Sequence, residues 1–172
     1  MLIIPGWTNS GPEHWQTLWE RSDPHRFHGV EQRDWDTPRR RDWIATLDAA
    51  IGAEPAPPVL VAHSLGCIAV AHWAAAHPRP IAGALLVAPP DVERPDMPRE
   101  VRDFAPVPRR PLPFRSILVA SDDDEYITMD RAEHFARCWG SELVRAGRAG
   151  HINTDAGFGP WPGGERLLGN LC

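Results

Sequence analysis

Residues 59–66, with the sequence VLVAHSLG, place a serine between a short β-branched apolar run and an alanine-rich apolar segment. The first run predicts a buried strand, and residues 68–76 predict a helix. Ala62 and Gly66, two positions before and after Ser64, are both small, although glycine is more usual at the first of them. A strand, a tight turn with small flanks and a helix form a nucleophile elbow, which occurs in α/β folds.

Further apolar runs alternate with helical segments along the chain. The runs that predict strands are Leu2–Ile4, 59–62, 82–88, Ser116–Ala120 and the shorter Glu142–Arg145. The predicted helices begin near Ser10 and Thr37 and cover 65–77 and 130–139. This alternation predicts an α/β fold, with a mostly parallel sheet of about five to six strands and helices on both faces.

Three local signals refine this prediction. Ser10 and Glu13 have the spacing of a capping box, which predicts the start of the first helix. Thr37 followed by Pro38 predicts the start of the second helix, which we expect to end at Gly52. Residues 91–113 contain six prolines among mixed charges, so we expect an irregular segment crossing the carboxyl edge of the sheet.

Length and charge restrict the class of protein. A chain of 172 residues predicts one domain over residues 1–172. A net charge of −5 argues against a nucleic-acid partner. The apolar start of the chain is too short for a secretory signal, and we expect no membrane span.

The cysteines bear on compartment and metal binding. Cys67, Cys138 and Cys172 are scattered and lack the spacing of a metal site. Scattered thiols are typical of a reducing compartment, so the sequence predicts a cytoplasmic protein without a metal or other cofactor.

Three strand-end loops carry the residue types of a nucleophilic triad. Ser64 follows one predicted strand, residues 121–126 (SDDDEY) follow another, and His151 follows the last. Loops at the carboxyl ends of parallel strands meet at one edge of a sheet. The order serine, aspartate, histidine is the order of α/β-hydrolases, and spacing alone leaves Asp122, Asp123 and Asp124 as candidates for the acid.

Each group has a chemical reason to be present. A serine hydroxyl is a weak nucleophile at neutral pH and needs a base, which His151 would supply. A carboxylate would hold the imidazole in the required tautomer. Two fixed donors are needed for the developing oxyanion, and we expect them to be the backbone N–H groups of Leu65 and Trp7.

Several motifs resemble a known family. The chain is similar to the small α/β-hydrolase serine hydrolases that include the retinoblastoma-binding serine hydrolase and bacterial homologues. The resemblance rests on motifs along almost the whole chain: PGW at 5–7, GP at 11–12, HW at 14–15, QRDW at 32–35, AHSLG at 62–66, LPF at 112–114, SDDDEY at 121–126, GHIN at 150–153, Gly157 and GPWP at 159–162.

The resemblance implies a compact hydrolase without a large cap domain that acts on ester or amide acyl bonds. It also implies Asp124 as the triad acid. Glu125 stands where the family commonly has proline, and Ala156 where it commonly has serine. Neither position belongs to the triad.

Other residues near these motifs are candidates for the pocket or for the core. His14, Trp15 and Trp161 are candidates for lining the pocket, and Trp15 suits the core face of its helix equally well. His63 adjoins the nucleophile, but neighbouring side chains diverge at an elbow. We therefore expect His63 to be a hydrogen-bonded structural residue rather than the base.

The sequence thus predicts a serine hydrolase of the carboxylesterase type that cleaves small carboxylic esters or related acyl compounds through an acyl-enzyme. Its partner would be a small-molecule acyl substrate. One alternative is a non-catalytic interaction scaffold on a hydrolase fold. Another is an acyltransferase or perhydrolase that uses the same triad. The sequence predicts neither the natural acyl chain nor the oligomeric state.

Overall fold

Six parallel strands form the central sheet of the computed structural model, which describes residues 1–171. Their order across the sheet is β2-β1-β3-β4-β5-β6. The strands are β1 Leu2–Ile4, β2 His28–Gly29, β3 Val59–His63, β4 Gly83–Val87, β5 Ser116–Ala120 and β6 Glu142–Arg145. The prediction of a mostly parallel sheet of five to six strands is confirmed.

Helices cover both faces of this sheet. They are α1 Trp15–Ser22, α2 Arg40–Ala53, α3 Leu65–Ala76, α4 Met129–Trp139 and α5 Pro162–Gly169, with short 3-10 helices at Arg99–Phe104 and Thr154–Ala156. No large cap domain covers the sheet in the described part of the chain. None of the helices within residues 1–171 is long and apolar enough to cross a membrane.

Alternation along the strands divides the core into two layers. Leu2 and Ile4 of β1 belong to one buried cluster, which includes residues of α2, α3 and α4. Ile3 belongs to the other, together with residues of α1 and Leu168 of α5. Because successive side chains of a strand point to opposite faces, a strand buried on both faces is almost continuously apolar, and here the polar exceptions His63 and Ser116 lie at strand ends. All residues of β1, β3, β4 and β5 are buried.

Two predicted helix starts are wrong. Helix α1 begins at Trp15, and His14 caps it by accepting the Gln16 N–H at its Nδ1 atom. Ser10 instead donates its hydroxyl to the Gln16 side chain at 2.7 Å. Helix α2 begins at Arg40 rather than near Thr37, because Thr37 bonds back to Asp34 through both its N–H and its hydroxyl.

The strand β2 and the helix α5 were not predicted. β2 has only two residues, and α5 contains three glycines and a proline, so neither has a clear apolar period. Within the proline-rich segment 91–113, the 3-10 helix was also not predicted. The segment is anchored beside the site, where the Asp91 N–H donates to the Tyr126 carbonyl at 2.9 Å.

Candidate active site

Ser64 occupies a strained turn between β3 and α3. Its φ of 51° and ψ of −127° lie outside the regions that most residues with a side chain adopt. The Ser64 N–H donates to the Val87 carbonyl of β4 at 2.9 Å, which holds the turn at the sheet edge. This is the local geometry predicted from the small residues around the serine.

Gly66 is required by the close approach of α3 to β1. A Cβ atom at Gly66 would lie 2.4 Å from the Ile4 carbonyl oxygen and 2.7 Å from that of Pro5. Both contacts are with backbone, so a side chain rotation cannot relieve them. The second small flank of the elbow is therefore a steric necessity in this fold.

We expect Gly66→Ala to destabilise the protein by about 1–3 kcal/mol, the typical cost of overpacking a core. Alanine is normally favoured over glycine inside a helix by about 1 kcal/mol, so helix propensity predicts the opposite sign. Gly169→Ala is the matched control, because nothing lies within 4 Å of a Cβ atom there. Urea unfolding of both variants measures the difference, and equal stability of the two would contradict the steric argument.

His151 lies against Ser64. The His151 Nε2 atom is 2.9 Å from the Ser64 Oγ atom, and the two residues are 87 positions apart in the chain. His151 is buried, with only 8% of its side chain exposed. The distance is within the range that a general base needs in order to take the hydroxyl proton.

Asp124 lies on the other side of the same ring. Its two carboxylate oxygens are 3.0 and 2.9 Å from the His151 Nδ1 atom, and its side chain is fully buried. Asp124 also accepts the Tyr126 N–H at 2.9 Å, which fixes the carboxylate. A proton on Nδ1 therefore leaves the Nε2 lone pair free to face the serine hydroxyl.

The two neighbouring carboxylates point elsewhere. Asp122 pairs with Arg145 at 2.7 Å on the surface. Asp123 accepts the Gly150 N–H at 2.9 Å and the Ser121 hydroxyl at 2.9 Å. Of the three candidates for the acid, the structure brings Asp124 to His151.

The two expected oxyanion donors flank the serine. Leu65 is the first residue of α3, where the backbone N–H has no partner in a preceding helical turn. Trp7 follows β1, and its indole N–H donates to the Asp36 carbonyl at 2.9 Å. A Cβ atom at Gly6 would lie 2.7 Å from the Ser64 Cβ atom, so glycine lets this loop approach Ser64 closely.

A cavity of about 320 Å³ opens over these groups. Its polar lining residues include Asn9, His14 and Asn153. Its apolar lining residues include Met97 and Val101 of the proline-rich segment. The cavity is also lined by Trp7, Ser64, Leu65, Tyr126 and His151. The segment 91–113 therefore shapes the cavity, as its predicted path over the sheet edge suggested.

Only one of the three predicted pocket residues lines this cavity. His14 does so, whereas Trp15 and Trp161 lie outside its lining. Trp15 is completely buried, and its ring centroid is 5.1 Å from that of Trp161 and 4.8 Å from that of Trp19. Trp15 belongs to the core layer beneath the site, and the partly buried Trp161 packs against that layer.

Two further histidines are held neutral beside the His151 ring. Burial, followed by the effect of His151, lowers the pKa of His14 to about 4. Burial, followed by the neighbouring His151 and His14, holds the pKa of His63 well below its usual value. The ring centroids of His63 and His151 are 4.9 Å apart, so a neutral His63 places no positive charge beside the His151 ring.

A family model described as serine hydrolase matches residues 1–170. The chain belongs to the serine hydrolase family. The match includes the Ser64 elbow, His151 and all six strands of the sheet. Among the curated proteins compared with the chain, none matches it.

Solved structures show that this serine hydrolase has the α/β-hydrolase fold. A protein from Pectobacterium atrosepticum described as a YdeN-like hydrolase is 36% identical, with a TM-score of 0.85 over 97% of this chain and 87% of that one. The ydeN gene product of B. subtilis is 22% identical, with a TM-score of 0.80 over 99% and 96%. Alpha/beta hydrolase domain-containing protein 10 from mouse is 14% identical, with a TM-score of 0.70 over 99% and 90%.

One neighbour of the serine hydrolase site was missed in the sequence. Tyr126 packs edge-on against His151, with ring centroids 4.5 Å apart. Its position two residues after Asp124 was the available signal, since a side chain in that loop is close to the acid. Within residues 1–171, no group of three or more histidine, cysteine or acidic side chains is arranged to hold a metal ion.

Proposed function

We propose that this serine hydrolase cleaves small carboxylic esters or related acyl compounds through a covalent acyl-enzyme on Ser64. The observation that carries the proposal is the continuous chain of contacts from Ser64 Oγ through His151 to Asp124, at 2.9 Å on each side of the imidazole. The same residue types in the same contacts support acyl transfer on unrelated folds.

In the proposed acylation, Ser64 Oγ attacks the carbonyl carbon while His151 Nε2 takes the hydroxyl proton. The backbone N–H groups of Trp7 and Leu65 stabilise the negative charge that develops on the carbonyl oxygen. The tetrahedral intermediate collapses as His151 returns the proton to the leaving alcohol. The C–O bond to the alcohol breaks, and the acyl group remains on Ser64.

Deacylation repeats these steps with water. His151 takes a proton from a water molecule, the oxygen of which attacks the acyl carbon. The proton then passes to Ser64 Oγ as the acyl–enzyme bond breaks, and the carboxylic acid leaves. Asp124 stabilises the imidazolium in both halves without itself becoming protonated.

The cavity supports a small substrate. Its volume of about 320 Å³ is near the lower end of the range for small-molecule sites, about 300–1,000 Å³. Met97 and Val101 offer an apolar wall for an acyl chain, and His14 and Asn153 offer a polar wall. We therefore expect short acyl esters to be better substrates than long ones.

Labelling with a fluorophosphonate probe tests the proposal. An activated serine displaces fluoride from the probe and forms a covalent Oγ–P bond, so peptide mass spectrometry should find the label on Ser64. Ser64→Ala and heat-unfolded wild type are the controls and should remain unlabelled. A folded wild-type protein without label would contradict the proposed function and favour the non-catalytic scaffold.

We also propose a cytoplasmic location, which rests on the cysteine pattern of the sequence. Cys67 and Cys138 are free thiols in the structure, and Cys172 lies outside the described residues. Burial raises the pKa of the Cys67 thiol, so this residue stays protonated and unreactive.

A further inference from the structure

Two buried ring N–H groups hold consecutive carbonyls of the loop that carries the proposed base. The His63 Nε2 atom is 2.9 Å from the His151 carbonyl oxygen, across 88 positions of the chain. The Trp15 Nε1 atom donates to the Ile152 carbonyl at 2.9 Å, across 137 positions. These bonds tie the histidine loop to the residue beside the nucleophile and to the first residue of α1.

The loop that they hold is strained. Ile152 has a φ of 51°, a conformation that is rare for any residue with a side chain and rarer for a β-branched one. Gly150, on the other side of His151, also has a φ of 51°. Such conformations persist where the surroundings over-determine them, and they cluster at functional sites.

Other contacts hold the amino-terminal side of the same loop. The Ala149 N–H donates to the Ser121 hydroxyl, and the Gly150 N–H donates to Asp123, both at 2.9 Å. The rings of His63 and Trp15 therefore hold the next two residues of the loop, which are His151 and the strained Ile152.

Both donors are buried, and Trp15 also lies outside the lining of the cavity, so water does not reach its N–H. Trp15 has no exposed surface, and His63 is 5% exposed. Because the partner of His63 Nε2 is a carbonyl, the neutral ring must carry its proton on that nitrogen. A carbonyl that loses such a donor in a buried site stays unpaired.

We propose that His63 and Trp15 are positioning residues that fix the backbone of His151 and Ile152 and thereby aim the His151 ring at Ser64. The inference rests on the proposed function for its effect on turnover. Neither residue would touch the reacting atoms. Trp15 does not line the cavity, so KM should depend little on it, whereas His63 does line the cavity. A displacement of the base of about 1 Å can lower a rate by about 100-fold, so small movements of this loop are sufficient.

Trp15→Phe is the sharpest test, because it keeps an aromatic ring and removes the N–H, together with the volume by which an indole exceeds a phenyl ring. We expect kcat for an activated short ester to fall about 10-fold, with KM changed by less than about twofold. Amide hydrogen exchange in peptides covering residues 149–153 should become faster.

Trp19→Phe is the matched control, since the Trp19 Nε1 atom is buried on the same helix without a hydrogen-bond partner. It should leave kcat and exchange of residues 149–153 unchanged.

A pair of substitutions at His63 tests the second donor. The amide nitrogen of His63→Gln can occupy the place of Nε2 and donate, whereas His63→Leu fills similar space without a donor. We expect His63→Gln to retain most of wild-type kcat and His63→Leu to lose about 10-fold or more, with urea unfolding showing both to be folded. Equal impairment of the two would overturn the role of the His63 N–H.

The exchange measurement separates this inference from the proposed function. If wild type hydrolyses no ester, the proposed function fails and exchange alone decides the loop restraint. Faster exchange at residues 149–153 in Trp15→Phe then supports the restraint. Unchanged exchange, or wild-type kcat in an active Trp15→Phe enzyme, overturns it.

Discussion

Ser64→Ala should lower kcat for an activated aryl ester by about 10⁶-fold, the size of the loss when the nucleophile of a serine triad is removed. Without the Oγ atom no acyl-enzyme can form, and the N–H groups of Trp7 and Leu65 retain only weak stabilisation of direct attack by water. Release of p-nitrophenol from its acetate ester measures the loss, with the rate in buffer subtracted.

The fold of this variant should be intact, since the one hydrogen bond described for the Ser64 side chain is the bond to His151. Ser22→Ala is a suitable control. Its hydroxyl donates to the Trp19 carbonyl at the end of α1, away from the cavity, so turnover should be that of wild type. Wild-type turnover in Ser64→Ala would instead show that another group carries the reaction.

Local sequence was sufficient to predict the elbow because its constraints are local. The strand before Ser64, the helix after it and the small residue at Gly66 all follow from neighbouring positions. The structure adds the physical reason for Gly66, which is the approach of the Ile4 and Pro5 carbonyls. These two residues lie in another strand and its loop, so the contact itself has no signature in the elbow sequence.

The start of α1 shows how a local signal fails. Ser10 and Glu13 have the spacing of a capping box, but the Gln16 side chain donates to the buried carbonyls of Ile4 and Val61. This long-range bonding places Gln16 in the first turn of the helix, and His14 becomes the cap. Tertiary hydrogen bonds of this kind override a capping preference worth about 1 kcal/mol.

The positions of Trp15 and His63 could not be predicted for a similar reason. Each donates to a carbonyl of the histidine loop, and these partners are 137 and 88 positions away in the chain. Sequence spacing suggested only that Trp15 was core or pocket and that His63 was structural. Which carbonyl each ring meets depends on the packing of α1 and β3 beneath the loop.

Three consecutive aspartates could each have contacted His151, and the sequence alone does not distinguish them. Chain order placed an acid in residues 121–126, but a shift of one residue exchanges the candidates. In the structure the loop conformation directs Asp122 to Arg145 and Asp123 to the Gly150 N–H, which leaves Asp124 buried against His151. We therefore expect the same substitution, aspartate to asparagine, to change kcat by different amounts at the three positions.

Asp124→Asn should lower kcat by about 10⁴-fold, as loss of the carboxylate does in other triad enzymes. An asparagine amide directed at His151 Nδ1 favours the tautomer with its proton on Nε2, which cannot accept the Ser64 proton. It also removes the negative charge that stabilises the imidazolium. KM should change far less, because Asp124 is fully buried behind the imidazole and does not line the cavity.

Asp122→Asn is the matched control for this prediction. It makes the same change two residues away, on an exposed side chain that pairs with Arg145, and surface pairs of this kind contribute about 0–1 kcal/mol. Turnover should therefore equal that of wild type.

The kcat of Asp123→Asn should fall between the values of Asp122→Asn and Asp124→Asn. Asparagine keeps an oxygen that can accept from the Gly150 N–H, but the weaker bond loosens the anchor of the histidine loop. A larger loss in Asp123→Asn than in Asp124→Asn would contradict Asp124 as the acid, because only direct support of the imidazolium can produce the greatest effect.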